Sequence, residues 1–144
     1  MAGFTDALER QILDHVTNKA AYTAPGTWYL GVSSTTPADD GSNFTEPSGG
    51  AYARVALTAS DWAVASGSAP ASAVTSAIKS FPTASAAWSA GANMVGWGLF
   101  TASSGGTPVI VGALTTPKPV LNGDTLSFAA GALVLQLGDP ADTY

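Results

Sequence analysis

The 144-residue chain has no cysteine and one histidine, and only 10% of its residues are charged, against about 25% in an ordinary soluble domain. Without cysteine there is no disulfide framework, iron–sulfur cluster or thiol nucleophile. The five Lys and Arg residues are scattered and form no basic patch, so we expect no direct nucleic-acid ligand. No apolar run reaches the ~20 residues of a membrane span, and the start lacks the pattern of a secretory signal. We therefore expect synthesis in a cytoplasm and no membrane partner.

One amphipathic pattern lies near the start of the chain. Leu8, Ile12 and Val16 recur at intervals of four between Thr5 and about Asn18, which predicts a helix with one apolar stripe. A helix of this length is marginal alone, so its stripe must dock on another surface. Whether that surface belongs to the same chain or to a neighbouring protein stays open.

After residue 26 the pattern changes to short alternating runs bounded by turn-forming clusters. These runs predict strands at residues 27–33, 51–57, 61–65, 76–81, 95–100, 109–114, 125–128 and 133–137. In one run Gly96 and Gly98 share a face, and such a face usually lets a ring or another backbone approach closely. Short strands without intervening helices predict a mainly β fold, an antiparallel β-sandwich or barrel with one N-terminal amphipathic helix.

The chain divides after the helix. Residues 1–22 form an N-terminal segment for packing or anchoring, and residues 23–144 form an antiparallel β domain. The tail from about residue 138 is expected to be mobile. Because charge is scarce and Ala, Ser, Thr and Gly are abundant, the surface is suited to packing on neighbours without desolvating many ions.

Side chains that could carry catalysis are few. His15 lies on the predicted helix, and no G-x-S-x-G turn presents a serine to it. Asp39, Asp40 and Glu46 are the best local set of carboxylates, but adjacent acids in a turn are more typical of Asx turns than of a hydrolase pair. Their spacing also differs from that of a calcium loop. We therefore expect no enzyme, no cofactor and no metal.

Aromatic residues offer one further binding chemistry. The tryptophans and tyrosines could form a platform on which a sugar ring stacks, although their positions within predicted strands favour core packing. The tryptophans concerned are Trp28, Trp62, Trp88 and Trp97.

Several short motifs follow one another in an order that resembles a known family. In the first half they are the helix pattern and the segments at residues 28–33, 36–41 and 46–54. In the second half they are residues 81–84, 96–100, 112–118 and 122–128. This order resembles small structural proteins of tailed bacteriophages, labelled as tail-fibre, minor capsid or hypothetical virion proteins. The motifs are turns and core strands, so the resemblance implies a fold and a virion context.

The resemblance and the acidic balance together favour an outer-surface position on the virion, after synthesis in the host cytoplasm. We predict a head decoration or minor capsid protein that acts as a homo-oligomer such as a trimer. Its partners would be the major capsid protein or other virion proteins. Binding the assembled shell but not its separated subunits would stabilise the shell by mass action. The alternative is a tail or tail-fibre component, or a module that binds glycans on the host surface.

Eight residues are candidates for contacts with a neighbouring protein. They are Leu8, Ile12, Val16, Asp39, Asp40, Glu46, Tyr52 and Arg54. The first three would anchor the helix, the three acids lie in a loop that meets a neighbour, and the last two would make outward-facing polar contacts. Two alternatives stay open: the helix stripe covers the chain's own sheet, and Arg54 pairs with a surface acid.

Overall fold

The computed structural model describes residues 2–67 and 71–137, in which one α-helix and nine β-strands are found. The helix α1 spans Asp6–Val16. The strands are β1 (Ala2–Phe4), β2 (Thr27–Ser33), β3 (Val55–Thr58), β4 (Ala71–Val74), β5 (Lys79–Ser80), β6 (Met94–Phe100), β7 (Ile110–Lys118), β8 (Ser127–Phe128) and β9 (Val134–Leu137). The tail predicted to be mobile, from about residue 138, lies outside the described residues.

The strands form three antiparallel sheets. The main sheet has five strands in the order β1-β7-β6-β2-β3, and two small sheets pair β4 with β9 and β5 with β8. The prediction of a mainly β fold with a helix near the N-terminus is therefore confirmed. The barrel, one of the two predicted architectures, is not formed by the described strands, because β1 and β3 stay at opposite edges of the main sheet.

One face of the main sheet forms the hydrophobic core. In the pair of β2 and β6, Leu30 opposes Leu99 and Val32 opposes Trp97, and all of them are buried. The same core cluster includes Phe128 from β8 and side chains from connecting segments that lie outside the strands. Burying each large apolar side chain contributes about 1.5–3 kcal/mol relative to leaving it exposed. This shared core holds the three sheets together.

The N-terminal segment is part of the same core. β1 pairs with β7, and Leu8 of α1 is buried while Ile12 packs against the core from its rim. Thr5 stands at the N-cap, but its hydroxyl donates to the carbonyl of Val109 at 3.0 Å instead of to the helix. Val16 is 75% exposed. The helix stripe thus covers the chain's own core at its start and reaches solvent at its end. The described residues contain no helix with the length and apolarity needed to cross a bilayer.

The opposite face of the main sheet is lined by glycines and covered by residues 34–54, which we call the covering loop. A Cβ atom at Gly96 would come within 2.5 Å of the Pro37 ring, and one at Gly98 within 2.8 Å of the Phe44 ring. The close approach predicted at this glycine face is confirmed. Glycine is required here because the loop lies where side chains would otherwise stand.

Candidate functional site

Three of the predicted contact residues meet within the covering loop. Arg54 donates from Nε to Glu46 Oε1 at 2.8 Å and from Nη2 to Glu46 Oε2 at 2.5 Å. The Tyr52 hydroxyl donates to Glu46 Oε1 at 2.6 Å and accepts a hydrogen bond from the Val32 amide at 3.2 Å. We call this set the Glu46–Tyr52–Arg54 cluster. It fastens the covering loop to the edge of β2.

The guanidinium of the cluster is almost fully buried. The Arg54 side chain is 2% exposed and that of Glu46 is 25% exposed. The Arg54 Cζ atom also lies 3.3 Å from the centre of the Phe100 ring, and the edge of the Phe44 ring meets Phe100 at 5.2 Å between centroids. A buried charge requires such a partner because desolvation is costly. The outward-facing orientation expected for Tyr52 and Arg54 is wrong, since their polar atoms are used inside the chain.

The electrostatics of the cluster fix its protonation. Burial alone would raise the pKa of Glu46, but hydrogen bonds from Arg54 and Tyr52 outweigh it and leave that pKa below its ordinary value. Burial and the neighbouring Glu46 carboxylate raise the pKa of Tyr52, so its hydroxyl stays a donor. A general acid or base works best with a pKa near the working pH. Neither group meets that condition, so the arrangement is suited to holding structure.

Arg54 also reaches a second loop. Its Nη1 atom donates to the carbonyl of Ala102 at 2.7 Å and to that of Gly105 at 2.9 Å, both in the hairpin loop between β6 and β7. One guanidinium therefore links the covering loop, the end of β6 and this hairpin loop. The sequence analysis did not identify the role of Phe100 in this cluster. The two-residue spacing of Gly96, Gly98 and Phe100 nevertheless places all three on the same face of β6.

The other two acidic candidates lie at an exposed turn. The Asp40 carboxylate accepts a hydrogen bond from the Ser42 amide at 2.8 Å, which makes an Asx turn. Hydrogen bonding from the Ser42 side chain, together with that from its amide, holds the pKa of Asp40 below its ordinary value. The Asp39 carbonyl accepts from the Asp6 amide at 3.3 Å, where α1 begins. Across residues 2–67 and 71–137, no three His, Asp or Glu side chains converge as metal ligands. Contact with a neighbour stays a prediction for both acids.

The tryptophans separate into two groups. Trp88 and Trp97 are buried, and the indole of Trp88 donates to the carbonyl of Gly50 at 3.0 Å. Trp28 and Trp62 are half-buried and line an apolar groove beside α1. A sugar-stacking platform made of all four tryptophans is therefore excluded.

Fold and cluster together define a small antiparallel β protein in which polar side chains hold loops in place. A family model described as podophage GP4 fiber I protein gp80 matches residues 3–136. The chain belongs to this family and is a structural protein of a bacteriophage virion. No curated protein matches the chain.

Proposed function

We propose that the chain is a component of a podophage tail fibre, placed on the outer surface of the particle, that acts through protein–protein contacts and catalyses no reaction. The observation that carries this proposal is the family match over residues 3–136, since the family is described as a fibre protein. Head decoration, which the sequence alone favoured, receives less support than its alternative. The acidic, charge-poor composition fits either position equally.

Packing supports a structural role. The main sheet is covered on one face by the hydrophobic core and on the other by the covering loop. The Glu46–Tyr52–Arg54 cluster holds that loop with hydrogen bonds to a charged group, which are among the stronger ones in proteins. Loops fixed in this way lose little conformational entropy when a partner binds. A virion component that must keep its shape outside the cell benefits from both features.

The distribution of cations supports protein partners rather than nucleic acid. Of the five Lys and Arg residues, Arg54 is paired with Glu46 and Lys79 with Asp61. Because those two cations are neutralised within the chain, the surface has even fewer cations than the composition indicates. A surface with so few cations gains little from releasing the counterions of a phosphate backbone.

Labelling of intact particles tests the proposal. Antibodies raised against the purified chain, coupled to gold, are applied to intact virions and examined by electron microscopy. We expect gold along the tail appendages, with none on particles of a phage that lacks the gene. Gold on the head shell would contradict the fibre position. Labelling of disrupted particles only would contradict the outer-surface position.

A further inference from the structure

A cavity of about 560 Å³ lies between α1 and residues 20–25, which belong to the connection from α1 to β2. Its deepest lining side chains are apolar, since Leu8 is buried and Val109 is half-buried. Nearer to solvent it is lined by exposed polar side chains, namely Gln11, Asp14, Thr23 and Thr101. A concave site of this volume, with an apolar floor and a few polar groups, is typical of small-ligand binding.

Hydrogen bonds to the last turn of α1 hold the outer wall of this cavity in place. The carbonyl of Asp14 accepts from the Lys19 amide at 2.8 Å and from the Ala20 amide at 3.2 Å. His15 Nδ1 accepts from the Tyr22 amide at 3.2 Å. The cavity is therefore formed before any ligand arrives. A ligand that enters it does not have to order this segment, and that saving favours binding.

The polar groups of the cavity keep their hydrogen-bonding capacity for a ligand. Within residues 2–67 and 71–137, the side chains of Gln11 and Asp14 and the hydroxyls of Tyr22, Thr23 and Thr101 form no hydrogen bond or ion pair with another residue. The carboxylate accepts hydrogen bonds, while the amide and the hydroxyls both donate and accept them. The cavity therefore matches a ligand that carries several hydroxyl groups.

Charge selects among such ligands. Asp14 is the one ionised side chain among the described residues that line the cavity, so a phosphate or another anion meets repulsion there. Arg10 precedes Asp14 by one helical turn and offsets part of its charge, so the attraction for a cation is weak as well. A neutral polyhydroxyl ring avoids both costs. Its hydroxyl groups match the polar side chains, and its C–H face can pack on the apolar body of Tyr22.

We propose that this cavity binds a neutral saccharide ring. The hydroxyls of the ring donate to the Asp14 carboxylate and exchange hydrogen bonds with Gln11 and Thr101, while one face of the ring lies against Tyr22. A site built to bond hydroxyl groups discriminates strongly against molecules that lack them, because its polar groups would lose water without gaining partners. The inference goes beyond the proposed function and does not depend on it, since binding is measured on the purified chain.

Saturation-transfer NMR of the purified chain tests the inference with maltose, cellobiose, lactose and N,N′-diacetylchitobiose. We expect transfer to at least one of them, and we expect Asp14→Ala to raise its dissociation constant at least about tenfold, because a hydrogen bond to a charged acceptor is lost. Glu9→Ala is the matched control, since Glu9 is also an exposed carboxylate of α1 but does not line the cavity. Thermal unfolding checks that both variants are folded. Absence of transfer to all four sugars, or equal effects of the two changes, would overturn the proposal.

A conservative change separates a saccharide from a cationic ligand. Asp14→Asn keeps an oxygen acceptor and removes the charge, so we expect it to weaken sugar binding less than Asp14→Ala does. Methylguanidinium serves as the cationic probe. Its binding, lost in Asp14→Asn and at high salt while no sugar binds, would assign the cavity to a basic side chain and contradict the proposal.

Methyl glycosides of the bound disaccharide identify the source of the sugar. Undiminished binding of the methyl glycoside supports a ring linked within a longer glycan, because its anomeric carbon is substituted. Binding of the free reducing sugar alone supports a soluble saccharide. Both results support the saccharide site, whereas a methyl glycoside and a free sugar that bind equally well to Asp14→Ala and to the wild type would overturn it.

Discussion

The two faces of the main sheet are covered in different ways. On the core face, large side chains such as Leu30 and Leu99 oppose one another and are fully buried. On the other face, Gly96 and Gly98 leave space, and the covering loop fills it. Hydrogen bonds of the Glu46–Tyr52–Arg54 cluster hold the loop there. The first arrangement depends on apolar burial, which has no preferred direction. The second depends on hydrogen bonds, which determine where the loop lies.

The core face should give the largest loss of stability when it is damaged. Leu99→Ala removes a side chain with no exposed surface, so we expect the free energy of unfolding to fall by about 2–5 kcal/mol. Urea denaturation measures the change. The control is Leu121→Ala at a 49% exposed position, which should change stability by no more than about 0.5 kcal/mol. Equal effects of the two changes would contradict the position of the core.

The covering loop should depend on charge pairing. Arg54→Ala leaves the Glu46 carboxylate half-buried without its cation, so we expect a loss of about 3 kcal/mol, the lower end for a broken buried pair. Changing Glu46 to Ala as well should recover part of that loss, because the unpaired charge is gone. Denaturant titration of the two single variants and the double variant measures the coupling. Strictly additive losses would show that the pair contributes nothing.

Space on the glycine face should be strictly limited. Gly98→Ala places a Cβ atom 2.8 Å from the Phe44 ring and from the Pro108 Cβ atom, so we expect a loss of about 1–3 kcal/mol from overpacking. Gly26→Ala is the control, since nothing lies within 4 Å of a Cβ there. Thermal unfolding compares the two variants. A neutral result for Gly98→Ala would mean that the loop does not lie on this face.

Acid should selectively weaken the stability that Glu46 contributes by holding the covering loop. The pKa of Glu46 is lower in the folded state than its ordinary value, so its contribution to stability is present above the unfolded pKa and is lost as the pH falls through the folded pKa. We expect the wild type to exceed Glu46→Gln in stability above about pH 5, and the difference to shrink at lower pH. Unfolding midpoints between neutral and acidic pH measure it. A constant difference would contradict the role of the charge.

The smallest expected effect is a gain in folding stability from a substitution at the edge of the core. The Thr75 hydroxyl is buried and finds no hydrogen-bond partner among the described residues. Thr75→Val replaces it with a methyl group of similar size, so we expect stability to rise by up to about 1 kcal/mol. Calorimetry measures the shift in melting temperature. A loss of stability would show that this hydroxyl is satisfied in solution.

Local patterns predicted the parts of the fold that alternation alone specifies. The predicted strand at residues 27–33 coincides with β2, because Trp28, Leu30 and Val32 point to the core and the residues between them do not. The predicted glycine face is present as well. By contrast, β1 and β4 were missed, since short runs such as Ala2–Phe4 become strands only through their partners, which are distant in sequence.

The candidate site was predicted in composition but not in geometry. Glu46 was predicted in a loop that meets a neighbour, and Tyr52 and Arg54 were predicted as outward-facing contacts. The three side chains instead bond to one another in one largely buried cluster. No local pattern could show this, because the direction of a loop depends on where Gly98 and its neighbours leave room. Val16 shows the opposite case: its side chain is 75% exposed, so the contact with a neighbour that its helical spacing suggested stays a prediction.

Cryo-electron microscopy of particles assembled with and without this protein tests the fibre assignment most directly. We predict that particles lacking the chain lose density in the tail appendages, while the head shell and its heat resistance are unchanged. Loss of density on the head, with the appendages intact, would contradict the fibre assignment and support head decoration instead.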